Sequence, residues 1–366
     1  MSDSISDGIV KQNPTWLITG GAGFIGANFV KHILAHRTDV NVVVLDRLTY
    51  AGNLQSLVDE LAQPCFEFVK GDINDADLVA KLFAQYDFTT VVNFAAESHV
   101  DRSILGPDEF IQTNVQGTLN MLQQSLKAWQ DDFSGRLFLQ ISTDEVYGTL
   151  GLDDGPFTER HAFAPNSPYA ASKASADHLV RAWHHTYGLP TVTTHCSNNY
   201  GPFQFPEKLI PLIIRNIIAR KPLPIYGDGQ QRRDWLHVSD HCAAIEFVIA
   251  NGKLGESYCV GGNNECTNLT IVEQICQLMD KKLPSSDGVA TDLIAYVKDR
   301  PGHDRRYAID ATKLKSLGWT PKQRFDSAIE QTVDWYLANQ SWVEAITSGE
   351  YQQFYQRQYQ HRLGEE

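Results

Sequence analysis

The sequence predicts an α/β fold, a doubly wound parallel sheet with a smaller mixed lobe toward the C-terminus. Three observations predict it. Strand-like apolar runs alternate with helix-length segments between residues 15 and 196, a glycine-rich turn follows the first run, and prolines break the rhythm after residue 198. Strands separated by helices of about 10–20 residues form right-handed crossovers, which produce a parallel sheet with helices on its faces.

The elements up to residue 129 follow from apolar patterning. TWLIT at residues 15–19 is a short apolar strand, and the segment that begins at Phe24 carries apolar residues at helical spacing. VNVVVLD at residues 40–46 is a β-branched run of the kind that is buried on both faces of a parallel sheet. The same alternation predicts strands at 66–69 and 90–94 and helices at 75–86 and 109–129.

The alternation continues to residue 196 and then weakens. Strands are predicted at 137–142 and 190–196 and a helix at 168–187, whereas beyond 198 only a helix at 238–250 and a strand at 257–260 stand out. The sequence is therefore interpreted as a cofactor-binding domain with a second lobe and a helical tail. The boundaries are 15–197 for the first domain with returns near 235–262, 198–234 and 263–330 for the lobe, and 331–366 for the tail.

Length and charge narrow the functional class. At roughly 150 residues per domain, 366 residues correspond to two structural units. The formal net charge of −13 argues against nucleic acid or an anionic membrane as the main partner, because both require a basic surface. The sequence shows neither a signal-peptide pattern nor the roughly 18 apolar residues of a membrane span, so we expect a cytoplasmic protein. Six cysteines without a CxxC pair predict no zinc site and no disulfide scaffold, and we expect no metal.

The glycine-rich turn predicts a dinucleotide site. Gly20, Gly23 and Gly26 lie between a strand and a helix, where glycine allows the backbone to approach a pyrophosphate at the helix N-terminus. Asp46 ends the second strand and can accept hydrogen bonds from ribose hydroxyls, which favours NAD over NADP, although the neighbouring Arg47 leaves NADP open. Asp72 follows the third strand as an adenine contact or, equally, as a helix N-cap.

The motif SPYAASK predicts a general base. Tyr169 and Lys173 are four residues apart and share one face of a helix that Ser167 caps and Pro168 begins. A lysine ammonium beside a phenol lowers the pKa of the phenol and allows it to act as a base near neutral pH. Such a pair is commonly a solvated helix face, and the preceding glycine-rich turn is what favours catalysis.

The combination of TGxxGxxG with YxxxK resembles the extended short-chain dehydrogenase/reductase superfamily, and within it the dTDP-glucose 4,6-dehydratase family. The resemblance covers residues 16–310, and its segments are LITGGAGFIGANFV, LDRLTYAGNL, AAESHVDRSI, STDEVYG, SPYAASKASADHLVRAW, SNNYGPFQFPEKLIPL, PIYGDG, RDWLHVSDH and DRPGHDRRYAID. It implies a Rossmann-type fold, an NAD that stays tightly bound and is regenerated in each turnover, and dTDP-glucose as the substrate. It also implies a homodimer formed by the helices at 109–129 and 168–187.

The segment STDEVYG separates a dehydratase from related enzymes. Thr143 takes the hydroxyl position of the superfamily, and the carboxyl pair Asp144 and Glu145 can supply the two proton movements that loss of water requires. By resemblance, Tyr169 takes the C4 hydroxyl proton as hydride passes to NAD, Glu145 removes the C5 proton, and Asp144 protonates the leaving C6 hydroxyl. Hydride then returns to C6 and a proton to C5, giving the 4-keto-6-deoxy sugar. The alternative interpretation is that the acidic pair solvates a turn.

Local cations are needed for a sugar diphosphate on an acidic protein, and arginine suits this role because its planar fork binds two oxygens. The candidate cations are Lys208, Arg233, Arg300 and His303. The resemblance implies further contacts on both ligands. The cofactor set is Gly20, Gly23, Phe24, Ile25, Gly26, Asp46, Arg47, Leu48, Thr49, Asp72, Ile73, Ala95, Ala96, Ser98, Thr113, Tyr169, Lys173 and Asn199. The substrate set is Ser98, Thr143, Asn198, Lys208, Leu209, Pro224, Ile225, Tyr226, Arg233, Asn264, Asp299, Arg300, Pro301, Gly302 and His303.

Three residues depart from the family pattern. His195 stands where arginine or asparagine is usual, Phe203 replaces a tyrosine, and Cys266 replaces a lysine. These departures leave the base of the nucleotide less certain than the chemistry. The alternatives are an NAD-dependent epimerase, decarboxylase or dehydratase acting on a UDP- or CDP-sugar, and a binding module that kept NAD and lost catalysis.

Overall fold

A computed structural model describes residues 13–347 and shows a seven-stranded central sheet. Its strands are β1 (Thr15–Thr19), β2 (Asn41–Asp46), β3 (Phe66–Lys70), β4 (Phe88–Asn93), β5 (Leu137–Thr143), β6 (Thr191–Cys196) and, later in the chain, β10 (Ser257–Val260). Their spatial order is β3-β2-β1-β4-β5-β6-β10, and the pairs β1–β2, β1–β4, β2–β3 and β4–β5 are parallel. This order confirms the predicted doubly wound, Rossmann-type sheet.

Helices follow the strands as the sequence predicts. The elements between β1 and β6 are α1 (Phe24–His36), α2 (Ala76–Gln85), α3 (Val100–Leu105), α4 (Pro107–Phe110), α5 (Thr118–Trp129) and α6 (Pro168–Tyr187), with short 3₁₀ turns at Leu54–Leu57, Glu60–Ala62 and Asp144–Tyr147. Every residue of β1, β2 and β5 is buried, which explains why these strands are continuous apolar runs rather than alternating ones.

Two details differ from the predicted helices. The helix expected at 109–129 is interrupted by a π-helical segment, Ile111–Gly117, which lies between α4 and α5. The N-cap of α2 is Asp75, whose carboxylate accepts a hydrogen bond from the Leu78 amide at 3.0 Å. The interpretation of Asp72 as a helix N-cap is therefore wrong, since Asp72 instead accepts from the Asn74 amide at 2.9 Å in a local turn.

The later part of the chain forms two small sheets and further helices. The strands are β7 (Asn198–Tyr200), β8 (Leu223–Tyr226), β9 (Arg232–His237), β11 (Glu265–Thr267) and β12 (Ile294–Val297). The helices are α7 (Leu209–Ile218), α8 (Val238–Asn251), α9 (Asn268–Lys282), α10 (Thr312–Ser316), α11 (Phe325–Ala338) and α12 (Gln340–Ile346), with a 3₁₀ turn at Ala290–Leu293. Strand β9 pairs antiparallel with β11 and parallel with β7, and β8 pairs parallel with β12, so the expected smaller lobe is mixed.

The chain divides into two compact units. Unit 1 contains the described residues up to Val146 together with Ser167–His195 and Cys242–Tyr258; unit 2 contains Tyr147–Asn166, Cys196–His241 and the described residues from Cys259 onward. Each unit has its own apolar core. Leu17, Phe88 and Trp129 belong to the core of unit 1, and Tyr200 and Tyr336 to the core of unit 2.

Part of the predicted helical tail is described and part is not. Helices α11 and α12 occupy the stretch up to residue 346, and residues 348–366 lie outside the described residues. Within 13–347, no helix is long and apolar enough to cross a membrane.

Candidate active site

The glycine-rich turn joins β1 to α1 in unit 1. Gly20 has a φ of +67°, and a Cβ atom there would lie 2.6 Å from the Ala95 amide nitrogen. A Cβ atom at Gly26 would lie 2.2 Å from the Gly20 carbonyl oxygen. The fold itself therefore requires glycine at both positions, since no side chain can be accommodated there.

Gly23 differs from the other two glycines of the motif. It is the N-cap of α1, with a φ of −78°, and a Cβ atom there would meet only the Gly20 oxygen, at 3.3 Å. Neither its backbone conformation nor the packing of the protein excludes a side chain. An open glycine at a helix N-terminus fits a pyrophosphate, which needs close approach to the backbone and the positive end of the helix dipole. The geometry of the turn therefore fits the pyrophosphate of a dinucleotide.

Asp46 lies at the end of β2 and is buried. Its carboxylate accepts hydrogen bonds from the Ala22 amide at 2.9 Å and the Leu48 amide at 2.7 Å, so it braces the glycine-rich turn. Burial raises the pKa of Asp46, while these two amide hydrogen bonds oppose the rise. This bracing role was not predicted from the sequence, which assigned Asp46 to ribose binding alone.

Arg47 and Asp72 lie beside each other, with their side chains 3.4 Å apart. They line a pocket of about 400 Å³ together with amide side chains such as those of Asn74 and Gln116. Ile73 is buried next to this pair, and a Cβ atom at Gly117 would lie 2.4 Å from its Cδ1 atom, so the π-helical segment packs closely here. The remaining predicted cofactor contacts of unit 1 are Phe24, Ile25, Leu48, Thr49, Ala95, Ala96 and Thr113, which are half-buried, and Ser98, which is exposed.

The carboxyl end of β5 carries the acidic pair. Thr143 and Asp144 are buried and Glu145 is half-buried. The Thr143 hydroxyl donates to Asp144 Oδ1 at 3.3 Å and accepts from the Glu145 amide at 3.3 Å. One hydroxyl thus organises both acidic residues within a single 3₁₀ turn, Asp144–Tyr147.

Helix α6 begins where the sequence predicts and carries the tyrosine–lysine pair. Ser167 is its N-cap and accepts from the Ala170 amide at 3.1 Å, with Pro168 in the first turn. Tyr169 and Lys173 are both buried, at 9% and 4% exposure. Lys173 Nζ donates to the Ile141 carbonyl oxygen at 2.7 Å, and Ile141 lies two residues before Thr143. This contact places the start of α6 beside the strand end that carries the hydroxyl and the two carboxyl groups.

Sequence reasoning missed Asn114, a buried residue of the π-helical segment. Asn114 Oδ1 accepts from the Glu97 amide at 2.8 Å, and its Nδ2 donates to the Glu97 carbonyl oxygen at 3.0 Å and to Ser172 Oγ at 2.8 Å. The Ser172 hydroxyl in turn donates to the Tyr169 carbonyl oxygen at 2.7 Å. The amide thus links the loop after β4 to the helical turn that carries Tyr169. The TNVQG sequence gives no signal of this role, because it depends on the π geometry.

Unit 2 brings together a group of the predicted substrate residues. Asp299 accepts from His303 Nδ1 at 2.5 Å, and burial together with the charges of Arg300 and Arg233 lowers the pKa of His303 to about 3. The Arg300 guanidinium lies 6.0 Å from the centre of the Tyr226 ring. These residues combine positive charge with an aromatic face, which is the chemistry that a nucleoside diphosphate requires.

Other predicted substrate residues of unit 2 make hydrogen bonds to neighbouring backbone and side-chain atoms of the same unit. Arg233 is buried and donates to the Asp304 carbonyl oxygen at 3.0 Å. Asp234 accepts from the Asn264 amide at 2.6 Å, and the Asn264 side chain donates to Cys266 Sγ at 3.6 Å. The others lie as follows: Pro224, Ile225 and Tyr226 in β8, Asn198 at the start of β7, Lys208 and Leu209 at the N-terminus of α7, and Pro301 and Gly302 in the loop after β12.

Asn199, predicted as a cofactor contact, is fixed within unit 2. Its Oδ1 atom lies 2.9 Å from His241 Nδ1, and its Nδ2 donates to the Ser197 carbonyl oxygen at 2.9 Å. Burial lowers the pKa of His241 to about 3, so this imidazole is neutral and donates through Nδ1. Among residues 13–347, no cluster of three or more His, Cys, Asp or Glu side chains could hold a metal ion.

Comparison with known proteins shows an extensive similarity. Residues 17–332 match the family model described as GDP-mannose 4,6 dehydratase. A dTDP-glucose 4,6-dehydratase of Xanthomonas campestris pv. campestris is 58% identical over 346 residues, which cover 92% of this chain and 97% of that protein. The Salmonella typhimurium protein of the same name is 52% identical over 94% of this chain and 99% of its own length.

Solved structures agree in fold. The dTDP-glucose 4,6-dehydratase of Streptomyces venezuelae, crystallised with NAD and dTDP, has a TM-score of 0.84 and 44% identity, covering 91% of this chain and 99% of its own. A UDP-glucose 4-epimerase of Thermus thermophilus in complex with NAD has a TM-score of 0.78 and 27% identity, over 89% of this chain and 99% of its own.

Proposed function

The chain belongs to the dTDP-glucose 4,6-dehydratase family of the extended short-chain dehydrogenases/reductases, and on that premise we propose that it converts dTDP-glucose to dTDP-4-keto-6-deoxyglucose plus water. The activity is that of a carbon–oxygen hydro-lyase. The observation that carries the proposal is the hydrogen bond from Lys173 to the Ile141 carbonyl, because it places the tyrosine–lysine face of α6 beside Thr143, Asp144 and Glu145.

NAD is the cofactor, and the glycine-rich turn of unit 1 holds its pyrophosphate. Gly23 and the N-terminus of α1 supply the open backbone, and Asp46 braces the turn. Asp46 also supplies a carboxylate for the ribose hydroxyls, and its negative charge disfavours the 2′-phosphate of NADP. When bound, NAD would supply the hydride acceptor for C4 of the sugar and, once reduced, the hydride donor for C6. Since the cofactor ends each turnover in its original state, we expect it to remain bound during purification.

Tyr169 is the general base of the first step. It takes the proton of the C4 hydroxyl, and the Lys173 ammonium beside it favours the phenolate. Thr143 turns its hydroxyl hydrogen from Asp144 Oδ1 to the C4 oxygen when the sugar binds, and so aligns that oxygen with Tyr169. Burial of Tyr169 and Lys173 keeps water away from this step, which strengthens the electrostatic effect of the ammonium.

Asp144 and Glu145 perform the elimination. Oxidation at C4 acidifies the neighbouring C5 hydrogen, which Glu145 removes as a base. Asp144 protonates the departing C6 hydroxyl, and water leaves. When hydride returns to C6, a proton returns to C5. The two carboxyl groups differ in burial, since Asp144 is buried and Glu145 half-buried, and the Thr143 hydroxyl contacts both residues within one turn.

The nucleotide is recognised by unit 2. Arg233 and Arg300 provide charge and hydrogen-bond donors for the diphosphate, and Tyr226 provides an aromatic face for the base. His303 lies beside them as a neutral imidazole, and its Nδ1 donates to Asp299. The dTDP-bound relative supports thymidine as the base. UDP- and CDP-sugars are the alternatives that a substrate comparison must exclude.

The structural similarity to an epimerase raises a second activity with the same cofactor. Epimerisation needs the hydroxyl, the tyrosine and NAD, but has no use for a pair of carboxyl groups at this position. Asp144 and Glu145 therefore favour dehydration over epimerisation or decarboxylation.

The decisive assay identifies the product by mass. Purified protein, without added NAD, is mixed separately with dTDP-, UDP- and CDP-glucose. We expect loss of one water from dTDP-glucose in preference to the other two. A new isomer of unchanged mass would establish an epimerase instead, and no conversion even with added NAD would leave a binding module.

We also propose a homodimer that works in the cytoplasm. Two apolar side chains next to the expected dimer helices are exposed, Leu105 at 75% and Ile111 at 49%, and a partner helix would bury them. All six cysteines lie in the described part of the chain and are thiols, which suits a reducing compartment. Sedimentation velocity showing a monomer would overturn the dimer.

A further inference from the structure

A buried carboxylate on α6 lies directly behind the tyrosine–lysine pair. Asp177 is 5% exposed and belongs to none of the predicted catalytic or binding sets. The Ser142 hydroxyl donates to Asp177 Oδ2 at 2.6 Å, and His195 Nε2 lies 3.2 Å from the same oxygen. Ser142 is 3% and His195 1% exposed, so the three groups meet without solvent.

Such a site is costly unless its polar groups satisfy one another. An unpaired buried carboxylate costs several kcal/mol, and this is offset only by well-placed donors. Ser142 in β5 donates to Oδ2, and His195 in β6 lies within hydrogen-bond distance of the same oxygen, whereas Oδ1 is buried without a hydrogen-bond partner among the described residues.

The position of Asp177 couples it to the reaction centre. Asp177 lies four residues after Lys173, and therefore one turn along the same face of α6. Lys173 binds the Ile141 carbonyl and Asp177 binds the Ser142 hydroxyl, so consecutive residues of β5 are each fastened to α6. Two hydrogen bonds one helical turn apart fix both the rotation of α6 about its axis and its position along β5.

We propose that Asp177 is a positioning residue of the dehydratase reaction, which sets the register between Tyr169 on α6 and the Thr143–Glu145 segment through Ser142, with His195 as its supporting donor. The inference rests on the proposed function. The positioning depends on the hydrogen-bond acceptor oxygen of residue 177, which an asparagine side chain can provide and a leucine side chain cannot.

The test compares kcat and KM for dTDP-glucose, per folded protein, among D177L, D177N and S142A. We expect kcat to fall roughly 10- to 100-fold in D177L and several-fold in S142A, because displacing reacting groups by about 1 Å can cost about 100-fold. KM should stay within about twofold of the wild-type value, since neither side chain binds the nucleotide. D177N should retain kcat within about threefold.

The matched control is S103A. Ser103 is fully buried in unit 1 and donates to the Val100 carbonyl at 2.6 Å, the same length as the Ser142 bond. Loss of either hydroxyl should lower the urea midpoint of unfolding by a similar amount, but only S142A should lower kcat. If D177L does not fold, the S142A and S103A pair decides.

Several results would overturn the inference. They are an unchanged kcat in S142A and D177L, a loss confined to KM, or an equal loss of kcat in D177N and D177L. Failure of the wild-type protein to release water from dTDP-glucose would instead overturn the proposed function, and the inference with it.

Discussion

Alanine at Gly23 should weaken NAD binding with little effect on stability, whereas alanine at Gly20 should lower the stability of the fold. Gly23 has an ordinary φ of −78°, and the only contact that a new methyl group would make is with the Gly20 oxygen at 3.3 Å. Gly20 has a φ of +67°, and a methyl group there would lie 2.6 Å from Ala95 N and 2.7 Å from Ala95 Cα. The two substitutions add the same atom three residues apart in one turn.

The geometry sets the expected magnitudes. For G20A, the left-handed conformation costs about 1–2 kcal/mol, and moving the backbone at Ala95 raises the loss of unfolding free energy to about 3–5 kcal/mol. For G23A, we expect a smaller loss of about 1 kcal/mol in the cofactor-free protein, because alanine is a poorer helix N-cap than glycine and its methyl group would lie 3.3 Å from the Gly20 oxygen. The methyl group of G23A should nevertheless block close approach of the pyrophosphate.

The assay uses the NAD that accompanies the purified protein. Nucleotide released on denaturation is quantified by chromatography, and urea unfolding is measured on cofactor-free samples. We expect G23A to unfold at a urea concentration only slightly below the wild-type midpoint but to carry little or no NAD, and G20A to unfold at a markedly lower urea concentration. G23A with a full complement of NAD would refute the placement of the pyrophosphate at this turn. G20A with wild-type stability would refute the packing argument.

Three further predictions concern the acid pair, the lysine and a buried imidazole. Glu145→Gln should slow the release of water by at least ~100-fold while oxidation at C4 persists, which is seen as reduced-nicotinamide absorbance without a dehydrated product. An unchanged rate of water release would show that Glu145 is not the base. Lys173→Met should lower kcat by about 100-fold and move the pH optimum upward, since the ammonium no longer favours the Tyr169 phenolate; a pH–rate profile that stays in place would contradict this. Burial lowers the pKa of His241 to about 3. Below the usual value near 6.5, the unfolded chain therefore takes up a proton that the folded chain does not, and this residue should remove about 2 kcal/mol of unfolding free energy between pH 7 and pH 5. His241→Asn should lose that share of the pH dependence in urea titrations, and an equal dependence in both proteins would show that His241 protonates in the folded state.

The central sheet could be predicted because its strands are continuous apolar runs, and the start of α6 because Ser167 and Pro168 are local signals. The glycine-rich turn and the YxxxK helix were placed for the same reason, since each is encoded within a few residues. The same motifs predicted the dTDP-glucose 4,6-dehydratase family, which the comparisons confirm.

The elements that sequence reasoning missed depend on distant partners. The π-helical segment is held by Asn114, whose side chain binds the backbone of Glu97, and nothing in the local sequence requires that geometry. Strand β9 reads RRDWLH, and Asp234 within it accepts from the amides of Gly262 and Asn264. Charged side chains do not predict a strand when a buried network of this kind is what orders them.

Asp46 and Asp177 illustrate the same limit within the candidate site. Asp46 was predicted from its spacing to bind ribose, but its amide contacts to Ala22 and Leu48 depend on how the turn folds back onto β2. Asp177 lies on α6 and was overlooked because its partners, Ser142 and His195, lie on the strands β5 and β6. Spacing along the chain locates a motif, whereas the residues that hold the motif in place become visible only in three dimensions.

The central claim is that one bound NAD carries a hydride from C4 to C6 of the same sugar. The most direct measurement uses dTDP-glucose labelled with deuterium at C4, without added NAD, and locates the label in the product by NMR. The account predicts that the 4-keto-6-deoxy product carries the deuterium at C6. A dehydrated product without deuterium at C6, or deuterium released to water, would contradict it.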